Sequence, residues 1–331
     1  MRKPATDWKR RWSVGEPVAL IALILDAAIG WPGWLYARAG HPVGGFARLI
    51  DGCESRWNRP DFGAVRRRML GIATVLLLLL LSAGPAGMIQ YGVRFLPDMA
   101  AWLLIGLFAF PALAQRSLHD HVAAVEGALK TGDLAEARHA VGMIVGRDTD
   151  ALDEAGVARA AIESLAESFC DGIVAPFLWL LLLGLPGVWA YKAINTADSL
   201  IGHREERWRA FGWAAARLDD GLNLAPARLG GVILCLAAGR GWRVMARDAH
   251  NHASPNAGWT EAAMAGALGL RLAGPVVYDG VAHAKPWIGD GRTDADAKDI
   301  DHALRIYRRA CLILWMVAGL SSLPLIFRIL P

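Results

Sequence analysis

The stretch MLGIATVLLLLLLSAGPAGMIQYGV, residues 69–93, decides the class of fold, because it holds no charged side chain and Leu76 to Leu81 are consecutive leucines. A helix of this length crosses the roughly 30 Å hydrocarbon core of a bilayer. Three further runs lie outward from it: MAAWLLIGLFAFPALAQ (99–115), GIVAPFLWLLLLGLPGVWAY (172–191) and residues 310–327. A soluble domain can bury one such run as a core helix, but burying all of them needs a larger core than 331 residues supply. The composition agrees, with 54% hydrophobic residues and a mean hydropathy of +0.31. These observations predict an all-α integral membrane protein of several transmembrane and re-entrant helices, with amphipathic cytoplasmic helices and polar loops. Residues 1–331 are expected to form a single membrane-embedded catalytic domain carrying a helical cytoplasmic insert at about 116–171.

The charges lie between the apolar runs, 35 Lys and Arg against 31 Asp and Glu. By the positive-inside rule, Arg2, Lys3 and Lys9 to Arg11 place the N-terminus in the cytoplasm, and Arg38, Arg48, Arg56, Arg59 and Arg66 to Arg68 place the 38–68 loop there too. The stretch 17–37, with Asp26 and a Trp-Pro-Gly break at 31–33, is then a re-entrant or surface-lying hairpin rather than a crossing. Segments 69–93 and 99–115 form a transmembrane hairpin. Run 172–191 has Asp171 before it, Lys192, Arg204, Arg207, Arg209 and Arg217 after it, and Gly184-Leu185-Pro186-Gly187 within it. Two half-helices bent at that break keep both flanks on the cytoplasmic side. Thr131-Gly132-Asp133 divides the insert, with Asp133 as an N-cap. Segment 225–239 is short, 259–274 is an Ala/Gly-rich helix suited to close packing, 279–301 is a loop, and a C-terminal span follows.

Several function classes are disfavoured. The four cysteines stand far apart with no C-x-x-C spacing, which predicts reduced, structural thiols. The formal charge of +4 reflects basic residues flanking apolar segments, where anionic lipid is the natural partner and nucleic acid is not. The N-terminus lacks a small-residue cleavage site and is read as retained. No internal repeat appears, which weighs against a secondary transporter. No P-loop or G-x-G-x-x-G is present. Asp220-Gly221 followed by Ala227-Arg228 echoes a membrane phosphotransferase signature, but the spacing is wrong and the later aspartates are missing.

Chemistry-bearing residues gather in four strings. In RDTDALDEAGVARAAIESLAESFCDG (147–172), Arg159, Glu163, Glu167 and Asp171 recur every four residues and share a helix face. Like charges at that spacing repel, so a cation is expected to offset them, and carboxylates at a membrane mouth are usually functional. Lys192, Asn195, Thr196, Asp198 and Ser199 form a second cluster. Arg217, Asp219, Asp220 and Asn223 form a third, and Asp198, Asp219 and Asp220 are the candidate ligands for Mg²⁺. In the fourth, Ser254-Pro255-Asn256 precedes a helix whose free N–H groups, with Arg247, would receive an anion. Ordinary capping and surface salt bridges account for any one of these strings alone.

Taken together the strings resemble the CobD/CbiB family, the adenosylcobinamide-phosphate synthases of cobalamin biosynthesis. The resemblance is carried by LILDAAIGWP and HPVGGFARLI (23–50), VGRDTDALDEAGVARAAIESLAESFCDGIVAPF (145–177), AINTADSLIGHREERWRAFGWAAARLDDGLNLAPARL (193–229), RDAHNHASPNAGWTEAAMAGALGLRLAGP (247–275) and KPWIGDG (285–291), in family order. Trp31, Ser168 and His203 depart from the residues usual in the family. The resemblance implies an acid–amine ligase that joins aminopropanol, usually as its phosphate, to the free propionate of adenosylcobyric acid at the expense of ATP, with Mg²⁺. It implies multi-pass insertion in the bacterial inner membrane with a cytoplasmic active site, and a homo-oligomer or other cobalamin-pathway membrane enzymes as partners. Glu163, Glu167 and Asp171 become the candidate catalytic residues, with Glu163 or Glu167 as the base. Arg147, Asp148, Asn195, Asp198, Arg217, Asn223, Arg247, Ser254 and Asn256 become candidates for nucleotide and substrate binding. The competing readings are a corrinoid transporter or binding protein and a membrane phosphotransferase.

Overall fold

The computed structural model describes residues 17–329, apart from 147, 275, 279–280 and 284–285. Among them, four helical stretches are long and apolar enough to cross a membrane, or six if each bent pair is one span. The basic N-terminal residues 2–11 lie outside the described residues.

The uncharged run 69–93 forms most of α4 (Ala64–Gly92), a helix of about 43 Å at 1.5 Å per residue. Leu76, Leu80, Leu81 and Met88 are exposed on it, as a lipid-facing surface requires. α5 (Asp98–Ala109) returns, and Pro111 lies in the short 3-10 turn that separates it from α6 (Gln115–Lys130). α1 (Val18–Ile29) holds 12 residues, too few to span. It runs parallel to α5, with Ile21 against Gly106 and Asp26 at the start of α6. Beyond the Trp-Pro-Gly break the chain turns by 102° into α2 (Gly33–Ala39) and the amphipathic α3 (Pro42–Trp57). Asp26 is buried at 3% exposure because Gln115 meets it, donating from its backbone N at 2.6 Å and from Nε2 at 3.3 Å. The same Gln115 accepts from Tyr307 at 2.7 Å and Trp315 at 3.0 Å, so one side chain and its backbone tie α1, α6 and the last helix together.

The insert forms α6, α7 (Leu134–Gly142) and α8 (Glu154–Phe169), and Asp133 caps α7 by accepting from Glu136 N at 3.0 Å. α8 continues through a widened π turn (Cys170–Val174) into α9 (Ala175–Ile201). Twenty residues of straight helix span about 30 Å. Yet the Tyr191 hydroxyl donates to the Asp171 carbonyl at 3.3 Å, so the chain folds back on itself. The reversal is at Gly184, whose φ of 70° and ψ of −152° are accessible only to glycine. Gln90 of α4 seals the tip, its Oε1 accepting from Leu185 N at 2.7 Å. The returning half runs back along α4 from Pro186 beside Gly87, and beyond its end at Ile201 the Phe211 carbonyl lies against Gly71. The hairpin read from Gly184-Leu185-Pro186-Gly187 is therefore present.

α10 (Glu206–Arg209) and α11 (Trp213–Leu222) follow, and α11 bends by 46° into α12 (Leu224–Ala238). α13 (Trp242–Asp248) leads to α14 (Ala257–Leu268), the helix expected over 259–274. α14 packs on α12 through Gly230 and Gly231, where a Cβ would come within 2.9 Å of Thr260 and of the Trp259 carbonyl. The stretch 279–301 is not simply a loop. β1 (Leu272–Ala273) pairs antiparallel with β4 (Trp287–Ile288), β2 (Val276–Tyr278) pairs with β3 (Val281–His283), and α15 (Ala297–Ile329) has begun by 297. Backbone pairing satisfies polar groups that a bare loop would leave to water.

Contacts across the molecule bring four regions to one polar end. Arg207 pairs with Glu54 at 3.0 Å, Tyr191 meets Asp171, Asn256 meets Asp220, and Arg159 donates to the Thr293 carbonyl. Segments 38–68, 116–171, 192–224 and 240–300 share that end, as the charge pattern predicts.

Candidate active site

At the polar end the hairpin, α11 and the approach to α14 enclose an open cleft of about 350 Å³. Glu167, Asp171, Asp198, Asp219, Asp220, Asn223, Ser254 and Asn256 line it, together with Cys170, Arg204 and His252. The hairpin is what makes this possible, since it returns the Asn195–Asp198 turn to the level of Asp171.

The floor is a continuous hydrogen-bonded network. Asp219 is buried, and its two oxygens accept from Asn195 Nδ2 at 3.2 Å and Asn223 Nδ2 at 3.0 Å. Asn223 Oδ1 accepts from the Tyr191 hydroxyl at 3.0 Å, and Asn195 Nδ2 also reaches Asp171 Oδ2 at 3.4 Å. A buried network with its members satisfied holds one geometry. Gly202 keeps the entrance open, because a Cβ there would overlap the Asp198 carboxylate. The π turn lies where Asp171 enters the cleft, and its Gly172 carbonyl accepts from Ala114 N at 3.0 Å. Asp198 stands in the field of Asp219, Asp220 and Glu167, while Lys192 lies in that of Asp171, Asp219 and Asp26.

The structure separates other residues of the sequence reading from this cleft. Glu163 does not line the cleft, and its Oε1 accepts from the N of Ala273 at 2.9 Å, a residue with φ of 57°. Positions four apart drift by about 40° around a helix, so two steps from Asp171 carry Glu163 to another neighbour. Arg247 is engaged by Asp248 at 2.6 Å and Asp290 at 2.8 Å rather than waiting for an anion. That guanidinium holds the Asp248 and Asp290 carboxyls below the usual carboxylate range, and Asp248 also accepts from Gly289 N at 2.8 Å. Arg217 is exposed and lies 3.7 Å from Asp220. Asp148 accepts from Asp150 N in an exposed loop away from the cleft, and Arg147 lies outside the described residues.

The helix start at 254–256 also differs from the sequence reading. Ser254 Oγ accepts from the N–H groups of Asn256 at 3.2 Å and Ala257 at 3.3 Å, so these donors are spent on capping. Asn256 joins elements, donating to the Asp220 carbonyl at 2.9 Å and accepting from Arg228 at 3.1 Å. Sequence reasoning assigned no site role to Arg204 or His252. Their only signal was position, since Arg204 follows the helix that carries Asp198 and His252 precedes Ser254 by two residues.

Among the described residues no three His, Cys, Asp or Glu side chains form a ready-made metal cage. The donors at hand are hard oxygens, which fit a Mg²⁺ held by one or two carboxylates with phosphate and water oxygens completing its shell. Asp198 and Asp220 suit that role better than Asp219, whose oxygens already serve two amides.

Fold and cleft together define a multi-pass helical membrane protein with its polar chemistry gathered at one end. The chain belongs to the CobD/CbiB family, whose model, described as CobD/Cbib protein, matches residues 19–307. It is 50% identical over 310 residues to "Cobalamin biosynthesis protein CobD" of Rhodobacter capsulatus, covering 92% of this chain and 96% of that one. The proteins of the same name from Sinorhizobium sp and Geobacter metallireducens are 46% and 42% identical, covering 90% and 92% of this chain and 95% and 96% of theirs. No solved structure matches the chain.

Proposed function

We propose that this protein acts in cobalamin biosynthesis as an ATP-dependent acid–amine ligase, joining aminopropanol phosphate to the free propionate of adenosylcobyric acid. The observation that supports it most is the convergence of Glu167, Asp171, Asp198, Asp219 and Asp220, from three separate strings, in one open cleft. The names of the relatives supply the pathway, and the cleft supplies groups suited to the chemistry.

A carboxylate is a poor electrophile, so the propionate oxygen attacks the γ-phosphorus of ATP, ADP leaves, and an acyl phosphate forms. The amine nitrogen then attacks the acyl carbon, the C–N bond forms, and inorganic phosphate departs. One proton leaves the nitrogen, and Glu167, the cleft carboxylate that α8 carries, takes it. Mg²⁺, held by Asp198 and Asp220, would lower the charge on the transferring phosphoryl group. Asp219 orients Asn195 and Asn223 instead of reacting. The cleft faces the cytoplasm of the inner membrane, because the basic segments 38–68 and 192–217 gather at its end.

Mass spectrometry of a reaction containing adenosylcobyric acid, ATP, Mg²⁺ and aminopropanol phosphate is the direct test. An amide product formed with one ADP and one phosphate supports the ligase. A phosphodiester product, or transport of corrinoid into liposomes without chemistry, replaces it.

A further inference from the structure

The cleft combines five carboxylates on its floor and walls with one arginine, Arg204, on its rim. Arg204 donates from Nη2 to the Ala253 carbonyl at 3.1 Å, which fixes its position, and it makes no ion pair among the described residues. Among the described residues no other arginine lines the cleft. Arg217 lies against Asp220, Arg228 serves the Leu224 carbonyl and Asn256, and Arg247 is held by Asp248 and Asp290. The helix start at 254–256 is already capped by Ser254. An anion entering this cleft therefore meets one available guanidinium, and an ammonium entering it meets carboxylates.

The geometry points to Arg204 as the residue that selects a phosphorylated amine over an unphosphorylated one, with the phosphate at the rim and the amine directed inward to Glu167 and Asp171. This rests on the ligase reading above. A small zwitterion with its charges at opposite ends fits a cleft whose charges are divided the same way. The reverse orientation would put a phosphate dianion among the carboxylates, which repel it at close range. A guanidinium suits the rim, because it stays charged and presents several N–H donors to phosphate oxygens. One donor spent on Ala253 leaves others for the ligand.

The test compares wild type, Arg204→Ala and Arg204→Lys, with Arg209→Ala as a control from an exposed neighbouring position. Binding of aminopropanol phosphate, aminopropanol and Mg-ATP to the detergent-solubilised protein is measured by titration calorimetry, and amide formation is followed with each amine. Arg204→Ala is expected to weaken aminopropanol phosphate by on the order of 10-fold or more, the scale of a charge-assisted contact, while aminopropanol and Mg-ATP bind as before. Arg204→Lys recovers part of the loss. Equal weakening of both amines makes Arg204 a mere support for the 253 turn and overturns the inference. Loss confined to Mg-ATP assigns the arginine to the nucleotide and overturns it as well. If wild type forms no amide with either amine, the ligase reading falls, and the binding comparison still decides the role of Arg204.

Discussion

Replacing Gln90 with Met tests the fold-back on which the whole cleft depends. Met keeps the length and volume of Gln90 but removes the oxygen that accepts from Leu185 N at 2.7 Å, at a site where Gln90 and Leu185 are both buried. An unsatisfied buried N–H costs about 1–3 kcal/mol, which is roughly 5- to 150-fold in the folded population. Gly184→Ala acts on the same tip, because its backbone region costs other residues about 1–3 kcal/mol and its Cβ would strike the Gln90 carboxamide. Both changes disturb one contact, so the double mutant should lose less than the sum of the singles. Reversible unfolding of the purified protein in mixed micelles measures this, and ligase turnover should fall with the hairpin, since Asn195 reaches Asp171, and Asp198 the cleft, only through it. Wild-type stability in Gln90→Met, with strictly additive losses in the double mutant, would show that the chain does not turn back at Gly184 against α4.

Other outcomes follow from the same geometry. Glu167→Gln should insert and fold normally but lose turnover by roughly 10²–10⁴, the range for a missing general base, whereas Glu163→Gln should spare the chemical step and keep the turn at Ala273, since the amide oxygen still accepts from Ala273 N. Near-normal turnover in Glu167→Gln removes that residue from the mechanism. The Arg247–Asp248–Asp290 clasp has carboxyls held below their unfolded range, so its stabilisation is fully present above about pH 4 and fades as pH falls through the lower folded values. Melting temperature against pH should therefore separate wild type from Asp248→Asn at neutral pH and bring them together in acid. Single cysteines placed at Ser55, Arg209 and Thr293 should all react with a membrane-impermeant thiol reagent from the cytoplasmic face alone, against a low background because the four native cysteines are buried. Labelling of position 209 from the opposite face would dissolve the single site.

The sequence by itself determined the solvent of this chain and much of its path. Uncharged runs long enough for a bilayer specify membrane helices whatever their neighbours, and a Gly-Leu-Pro-Gly break within 172–191 specifies a bend because proline and glycine act locally. It also picked out most of the cleft, since Glu167, Asp171, Asp198, Asp219 and Asp220 were legible as carboxylates beside apolar segments. Only the tertiary structure decided which members of each string face inward. Glu163 and Arg247 carry the same chemistry as residues in the cleft, yet Ala273 N claims the first and Asp248 and Asp290 claim the second. Arg204 was legible only as one basic flank among several and acquires its place because Ala253, forty-nine residues along the chain, holds it beside the cleft. Spacing along a helix reports direction only within one element, and whether a charge is free or already paired depends on partners that folding brings from elsewhere.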